Sequence, residues 1–400
     1  MPPRTTDTLR QRLLLPLALA LLSLTTIGQS TPATGQTPDV PRPNQLLLES
    51  PLDYQVFQRG RPHQGEIAFR AVIPAGCDHL EITILSNHPQ QPPIHRRLRF
   101  RTKSATRTFE QRIMVPAGGW YRCELRGFRA GASPPIFESD VEHVGVGDVF
   151  VIAGQSNSAN HGSHRQEPQS GWVTAFDGTR WRPAKDPQPG ASGDGGSFIP
   201  AFGDAVAART GLPVGVISIG AGGTSVREWL PRGDRMSQQP TTGAHVRQVG
   251  PHTWEATGEL FERLAGPLQH LGPHGCRAVL WHQGESDAGQ ARSGYPADRQ
   301  ITGDQYVAFM RRLITASRDR AGWRVPWFTA QATYHSESDP ADAEFRAAQA
   351  RLWETGWAKP GPDTDALRAE YRDGVHFNER GLHRHGELWA RQVLSPSRSR

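Results

Sequence analysis

Two different spacings of apolar residues divide the chain. From residue 46 onward, β-branched and aromatic residues occur in short runs that are separated by Pro and Gly turns. Such runs are typical of strands in an all-β domain. We predict strands at residues 54–58, 65–73, 80–85, 97–101, 109–115 and 120–126, in a small β-sandwich that ends near His143.

After Gly147, apolar strands alternate with amphipathic helices. Strands are predicted at residues 149–153, 214–219, 278–282 and 325–330, and helices at residues 200–210, 259–271, 305–320, 341–354 and 379–393. This alternation predicts an α/β fold of βαβ units with a central parallel sheet. In open sheets of this kind, ligands bind at the carboxyl ends of the strands.

The first residues have the order of a secretory signal. Arg4, Arg10 and Arg12 precede the apolar run 13–24, and small or polar residues follow. This order predicts a signal peptide at residues 1–28, with a single anchoring helix as the alternative. We therefore expect a secreted or periplasmic protein that has no integral membrane association after the leader is removed.

Composition narrows the class of protein further. Residues 29–45 are rich in Pro, Thr, Gln and Ser, which predicts a linker.

Three cysteines in 400 residues exclude a disulfide-stapled scaffold, and none has metal-ligand spacing. Cys77 and Cys123 fall in one predicted domain and could pair, whereas Cys276 begins a core strand. The formal charge of +6 is spread along the chain, so no nucleic-acid partner is expected.

The first strand of the α/β region ends at a serine. The string is Val149-Phe-Val-Ile-Ala-Gly154-Gln155-Ser156-Asn157, in which an apolar run stops abruptly and presents a hydroxyl nucleophile. Residue 158 is Ser, not the second Gly of a G-x-S-x-G elbow, and this disfavours an α/β-hydrolase. The alternative role for such a serine is a helix N-cap.

A carboxylate and a histidine lie together just before the last predicted helix, in Asp373-Gly-Val-His376. One loop can hold both, so a serine, an acid and a base are all present. Glu285 and Asp287, which follow the third strand, are alternative acids; otherwise Glu285 is structural.

Two further blocks also follow predicted strands. The segment Gly220-Ala-Gly222-Gly223-Thr224-Ser225 carries few side chains, so its backbone N–H groups can approach a reacting carbonyl. The segment Trp281-His-Gln283-Gly-Glu285 offers an amide donor and a carboxylate at the same sheet edge.

In this order, the blocks resemble the SGNH (GDSL-like) hydrolases, and among them the sialate O-acetylesterase-like branch of carbohydrate acetylesterases. The resemblance is carried by residues 149–157, 222–225, 282–285 and 373–376. It implies an SGNH-type three-layer α/β/α hydrolase domain at residues 146–395, preceded by the β-sandwich lead domain at residues 46–145.

The resemblance also implies roles for single residues. Ser156 would attack an acyl carbonyl, His376 would remove its proton, and Asp373 would orient the imidazole and stabilise the imidazolium. The backbone N–H of Ser156, the backbone N–H of Gly223 or Gly222, and the side chain of Gln283 would hold the oxyanion.

The chain departs from the wider superfamily at two positions of these blocks. Gln155 stands where that superfamily has Asp before its serine, and Gln283 stands where it has Asn. His376 is also followed by Phe377-Asn378 rather than by a proline.

Substrate contacts are expected around the same sheet edge. The polar candidates are Gln155, Asn157, Thr224 and Glu285. Trp229 is a candidate to stack on a sugar ring, and Trp281 either stacks in the same way or packs in the core. No metal and no cofactor are expected, because the nearby histidines and carboxylates lack a compact ligand spacing.

Two Gly- and Pro-rich segments and several histidines lie in predicted loops. Residues 177–198 and 232–257 either wall the site or are insertions without a role in it. The histidines at positions 161, 164, 245 and 252 are expected to be exposed.

These observations predict an exported serine esterase that removes O-acetyl groups from a carbohydrate through an acyl-enzyme intermediate. Acetylated sialic acid, acetylated xylan and other O-acetyl glycans require the same chemistry. The alternatives are a non-catalytic glycan-binding protein on the same fold, and a lipase or thioesterase of the same superfamily.

Overall fold

The computed structural model of the protein describes residues 47–87, 90–100, 106–292, 296 and 299–395. The predicted signal peptide and linker lie outside these residues. In the part of the chain that is described, no helix is both long enough and apolar enough to span a membrane.

Strands dominate the first third of the chain and alternate with helices afterwards. The strands are β1 (Leu47–Ser50), β2 (Val56–Arg61), β3 (Gln64–Ile73), β4 (His79–Ser86), β5 (Ile94–Arg99), β6 (Arg107–Pro116), β7 (Gly118–Phe128), β8 (Phe137–Gly154), β9 (Val173–Phe176), β10 (Trp181–Pro183), β11 (Val214–Ser218), β12 (Arg235–Met236), β13 (Val246–Gly250), β14 (Thr253–Ala256), β15 (Ala278–His282), β16 (Trp327–Gln331), β17 (Lys359–Asp363), β18 (Arg372–Asp373) and β19 (His376–Phe377). The helices are α1 (Ile199–Thr210), α2 (Glu259–Leu271), α3 (Glu285–Arg292), α4 (Gly303–Ala321), α5 (Ala343–Glu354) and α6 (Glu379–Leu394).

The strands before Gly147 form two groups around one apolar core. One group contains β1, β2, β3 and β6, and the other contains β4, β5, β7 and the first half of β8. Alternate residues such as Phe69, Ile82 and Leu125 are buried in this core, because successive side chains of a strand point to opposite faces. Cys77 and Cys123 also lie in it, and both are free thiols.

Strand β8 runs through both parts of the chain. Its first half pairs with β7 in antiparallel register as far as Val146, and its second half pairs in parallel with β11 from Asp148 onward. The expected end of the lead domain therefore falls inside one strand rather than in a loop. The buried carboxylate of Asp148 fixes this junction, because it binds Arg59 at 2.9 Å and Arg277 at 3.2 Å.

The central sheet has the order β10-β9-β11-β8-β15-β16-β17 and is parallel except for the pair β9 and β10. Helices α2, α4 and α5 cover one face, where Val151 and Trp281 are buried. Helices α1 and α6 cover the other face, where Phe150 and Leu280 are buried. Because both faces are covered, the central strands are apolar throughout.

The sequence predicted the main elements of this sheet. The predicted strands coincide with the second half of β8 and with β11, β15 and β16, and the predicted helices with α1, α2, α4, α5 and α6, to within a few residues. Strands β9, β10 and β17, helix α3 and the hairpin of β18 and β19 were not predicted. The edge strand β17 contains two prolines, which sequence reasoning assigns to loops.

Residues 232–257 are an ordered wall and not a disordered insertion. Strands β12, β14 and β13 form a three-stranded antiparallel sheet within this segment. Met236 and Trp254 anchor it in the core of the α/β region. The hydroxyl of Thr241 donates to the carbonyl of Ser286 at 3.2 Å, so the wall contacts the start of α3.

Candidate active site

Ser156 lies directly after the carboxyl end of β8. Gly154 makes the turn with φ of +129°, and a Cβ there would collide with the carbonyl of His282, so only glycine fits. Ser156 then begins a short 3₁₀ turn, Ser156–Ser158. The residue is 7% exposed, and its hydroxyl has no hydrogen-bond partner among the described residues. The hydroxyl oxygen is not fully buried, so a ligand can reach it.

His376 approaches this turn on the hairpin of β18 and β19. Strand β19 packs against the 3₁₀ turn with Cα–Cα separations of 8 Å or less. Burial lowers the pKa of the His376 imidazole, and the neighbouring His161 and Arg372 lower it further, against the opposing effect of Glu285. A neutral imidazole beside a serine hydroxyl is suited to act as a general base.

Two side chains hold the hairpin in place through one carbonyl. The Asn157 amide donates to the carbonyl of Val375 at 3.2 Å, and Arg372 Nη1 donates to the same oxygen at 2.7 Å. Arg372 is buried and lies over the ring of Tyr334 at 4.0 Å and that of Phe377 at 4.1 Å. Burial lowers the pKa of Arg372 to about 10. Sequence reasoning did not identify this residue, because an arginine in a polar loop carries no pattern that distinguishes it.

Asp373 shares the hairpin with His376, but the two side chains are not hydrogen-bonded. In the register of β18 and β19, Asp373 lies directly opposite His376. Directly opposed residues have Cβ atoms about 4.5–5.5 Å apart on one face of the ladder. The Asp373 carboxylate is exposed and forms no hydrogen bond or ion pair within the described part of the chain.

Glu285 begins α3 and is buried beside His282. Its Oε1 accepts from Asn157 at 2.9 Å and contacts His282 Nε2 at 3.1 Å. Burial raises the pKa of the Glu285 carboxyl, but the charge of His282 and the hydrogen bonds from His282 and Asn157 outweigh it and hold the pKa at about 2.

The hydrogen bonds on the other side of the His282 ring orient it toward Glu285. Trp389 Nε1, which can only donate, bonds to His385 Nε2 at 2.9 Å, so that nitrogen is an acceptor. His282 Nδ1 lies 3.0 Å from the same nitrogen and must therefore donate to it. His282 Nε2 faces the Glu285 carboxylate at 3.1 Å. Glu285 is thus already paired with a histidine other than His376.

Three backbone N–H groups of the glycine block, those of Gly220, Gly223 and Thr224, have no hydrogen-bond partner among the described residues. Gly222 N–H donates to Ser192 Oγ at 2.7 Å, so it is occupied. Gly223, with φ of +71°, and Ser156 have backbone N–H groups that form no hydrogen bond among the described residues. We take these two N–H groups as the candidate oxyanion donors, in line with the roles that the family resemblance implies.

The position of Gln283 does not fit the prediction that its side chain holds the oxyanion. Its side chain is fully buried, and Nε2 donates to Thr224 O at 3.2 Å and to Asp287 Oδ2 at 2.8 Å. Both amide protons are therefore used inside the protein. Exchanging the amide oxygen and nitrogen would bring three oxygen acceptors together, so the orientation is fixed. Gln283 therefore supports the glycine block through its hydrogen bond to the carbonyl of Thr224.

Most of the predicted substrate contacts are buried and structural. Trp229 is fully buried, packs edge-on against Trp281 at 5.3 Å and donates to Thr224 Oγ1 at 3.0 Å, so the prediction that it stacks on a sugar is wrong. Gln155 is also buried, and its Oε1 accepts from the backbone N–H of Ser286 at 3.0 Å. Asn157 holds the hairpin, as described above.

His161 was expected to be exposed, but it lies in the site. Its ring stacks on that of His376 with centroids 5.3 Å apart. Its Nε2 is 3.1 Å from Ser192 Oγ, in the wall that residues 177–198 form. Within the described ranges, no three or more His, Cys, Asp or Glu residues are grouped so that they could hold a metal ion.

A comparison with protein-family models agrees with the sequence blocks. The family model described as carbohydrate esterase, sialic acid-specific acetylesterase, matches residues 146–395. Among solved structures, a carbohydrate acetylesterase from Xanthomonas citri aligns at 18% identity and a TM-score of 0.49, over 86% of this chain and 73% of that chain. A cycloisomaltooligosaccharide glucanotransferase from Paenibacillus sp. aligns at 8% identity and a TM-score of 0.21, over 72% and 45%.

No curated protein matches the chain. The family model covers more than half of the residues and contains all four blocks. The chain therefore belongs to the sialic acid-specific acetylesterase family of carbohydrate esterases, as the blocks predicted.

Proposed function

We propose that the protein is an exported serine esterase, secreted or periplasmic, that removes O-acetyl groups from a carbohydrate. The observation that carries the proposal is the convergence of three groups at one sheet edge. These are the open hydroxyl of Ser156, the neutral imidazole of His376 on the adjoining hairpin, and the free backbone N–H of Gly223. A nucleophile, a base and an oxyanion donor are the requirements of acyl transfer.

The first half of the reaction transfers the acetyl group to the enzyme. His376 takes the proton from Ser156 Oγ as this oxygen attacks the acetyl carbonyl carbon. The backbone N–H groups of Ser156 and Gly223 stabilise the oxyanion of the tetrahedral intermediate. His376 then gives its proton to the sugar oxygen as the ester C–O bond breaks, which releases the sugar and leaves acetyl-Ser156.

The second half returns the enzyme to its starting state. His376 removes a proton from a water molecule, which attacks the acetyl carbonyl in the same oxyanion site. The intermediate collapses, Ser156 Oγ recovers its proton from His376, and acetate leaves. No cofactor or metal ion takes part in this scheme.

Asp373 is the acid in this proposal. It lies opposite His376 in the hairpin register, so rotation of its exposed side chain can bring the carboxylate to the imidazole. Glu285 is less suited, because its carboxylate is already paired with His282, whose ring is held in turn by His385 and Trp389. Hydrogen bonds of catalytic groups are often long before substrate binds.

The architecture fits an SGNH-type three-layer hydrolase domain preceded by a β-sandwich. In support, helices cover both faces of a parallel sheet, and two strand groups enclose the separate core before it. The family suggests an acetylated sialic acid as substrate, while acetylated xylan and other O-acetyl glycans need the same chemistry. The partner in this proposal is a carbohydrate, not a nucleic acid.

The test is acetate release by the purified mature protein from acetylated sialosides, acetylated xylan and acetylated monosaccharides. Acetyl and long-chain nitrophenyl esters serve as the comparison. Release from one class of glycan would establish the reaction and identify the substrate. Preference for long-chain esters would indicate a lipase, and no release from any ester would indicate a glycan-binding protein.

A further inference from the structure

His161 connects the proposed base to the glycine block. Its ring lies over that of His376, with ring planes inclined by 30°. At its other end, a Cβ added to Gly222 would lie 2.7 Å from His161 Nε2. His161 therefore borders the space that lies between His376 and the oxyanion donors.

The hydrogen bonds of Ser192 favour one tautomer of His161. Gly222 N–H can only donate, so Ser192 Oγ accepts from it at 2.7 Å. In the part of the chain that is described, the only other partner of this hydroxyl is His161 Nε2 at 3.1 Å. Donation of the hydroxyl proton to Nε2 satisfies this hydroxyl within the protein, and on this ground we assign the proton of His161 to Nδ1.

The charge of His161 is consistent with this arrangement. Burial lowers the pKa of its imidazole, against the weaker opposing effect of Asp194. The ring is therefore neutral near pH 7, with one N–H group.

The Nδ1–H group is open to a ligand. It has no hydrogen-bond partner among the described residues, and the Nδ1 atom is not fully buried. A free N–H donor thus faces accessible space next to the catalytic imidazole.

We propose that His161 is a specificity-determining residue that donates a hydrogen bond from Nδ1 to a hydroxyl of the sugar next to the ester. This inference rests on the proposed function. His376 must reach the ester oxygen of the sugar to protonate it, so the neighbouring carbon atoms of the sugar lie beside the ring stacked on His376. A neutral single donor suits an uncharged hydroxyl oxygen.

The experiment compares His161→Phe with the parent enzyme on three esters. These are a monoacetylated methyl pyranoside with free hydroxyls beside the ester, its analogue in which hydrogen replaces those hydroxyls, and 4-nitrophenyl acetate. Phenylalanine keeps an aromatic ring on His376 but removes the donor. His164→Phe is the matched control, because the His164 side chain is exposed and, within the described residues, bonds only to the Ser163 hydroxyl.

The expected result is selective. His161→Phe should lose about ten- to a hundredfold more kcat/KM on the hydroxyl-bearing sugar ester than on the other two esters, because only that ester loses a hydrogen bond. His164→Phe should leave the ratio unchanged. If His161→Phe does not fold, as judged by circular dichroism, Ser192→Ala should lower the same ratio, because it removes the hydroxyl that fixes the His161 proton on Nδ1.

Two results would overturn the inference. An equal loss on all three esters would mean that His161 acts only through His376, and an unchanged kcat/KM on all three would mean that it contacts neither the sugar nor the base. In both cases the parent enzyme is active and the proposed function stands. A parent enzyme that hydrolyses none of the three esters, nor the wider panel above, would contradict the proposed function as well.

Discussion

The side-chain amide of Asn157 donates a hydrogen bond to the backbone carbonyl of Val375 at 3.2 Å, and so it ties the turn of the nucleophile to the hairpin of the base. The second amide proton goes to Glu285 Oε1 at 2.9 Å. One buried side chain thus connects the ends of β8 and β15 with the loop before α6.

Asn157→Ala should separate these elements. We expect kcat/KM for acetyl esters to fall by about tenfold or more, and the free energy of unfolding to fall by about 1–3 kcal/mol, since the Val375 carbonyl and the Glu285 carboxylate each lose a donor. Steady-state kinetics and thermal unfolding at one pH measure the two effects. Unchanged kinetics in a folded variant would show that the tie has no role in catalysis.

Asp373→Asn tests the identity of the acid. We expect kcat/KM to fall by about a thousandfold or more, as in triads whose acid is neutralised. The melting temperature should change little, because the Asp373 side chain is exposed and has no partner in the described part of the chain.

Glu285→Gln is the matched comparison for Asp373→Asn. It should mainly reduce stability, by about 1–3 kcal/mol, because it weakens the buried hydrogen bonds that join Glu285 to Asn157 and His282. If Glu285→Gln stays fully folded and loses far more activity than Asp373→Asn, then Glu285 is the acid.

The pH dependence of kcat/KM follows from the environment of His376. Burial lowers its pKa below the ordinary histidine value, and the imidazole must be neutral to accept the proton of Ser156. Activity should therefore rise with pH, with an inflection below about 6.5, and remain level through neutral pH. Initial rates on a soluble acetyl ester at constant ionic strength measure the profile. An inflection clearly above 7 would be inconsistent with this environment.

Gln283→Ala distinguishes a supporting residue from an oxyanion donor. Because both amide protons are bonded to Thr224 and Asp287, the variant should lose about 1–3 kcal/mol of stability. Its folded fraction should keep kcat within about tenfold of the parent. A loss of a hundredfold or more in kcat without loss of stability would restore the oxyanion role.

The central fold could be predicted from the sequence because its strands are buried on both faces. Continuous apolar runs such as residues 278–282 then mark the strands directly, and helical periodicity marks α2 and α6. Strand β8 shows the limit. Its two halves belong to different pairings, yet the strand continues through Gly145 and Gly147, which flank the point at which they meet.

The members of the site could be predicted only where they follow strands or share a hairpin. Ser156, the glycine block and Glu285 follow strands directly, and the short spacing between Asp373 and His376 fits the observed hairpin. Which side a residue faces was not predictable. The 3₁₀ turn capped by Ser225 and Glu228 directs Trp229 into the core.

His161 was missed for a related reason. Its place in the site depends on Ser192, and the two residues meet only through the tertiary fold. A histidine in a Ser- and Gly-rich segment looks exposed unless this contact is known.

The most direct test of the proposed chemistry is whether Ser156 carries the acetyl group. Rapid acid quenching of the enzyme with an activated acetyl ester, followed by peptide mass spectrometry, should show one added acetyl group on the peptide that contains Ser156. Ser156→Ala should fold normally, lack this adduct and lose acetate release by about a thousandfold or more. Full activity in Ser156→Ala, or an acetyl group that turns over on a different residue, would contradict the proposal.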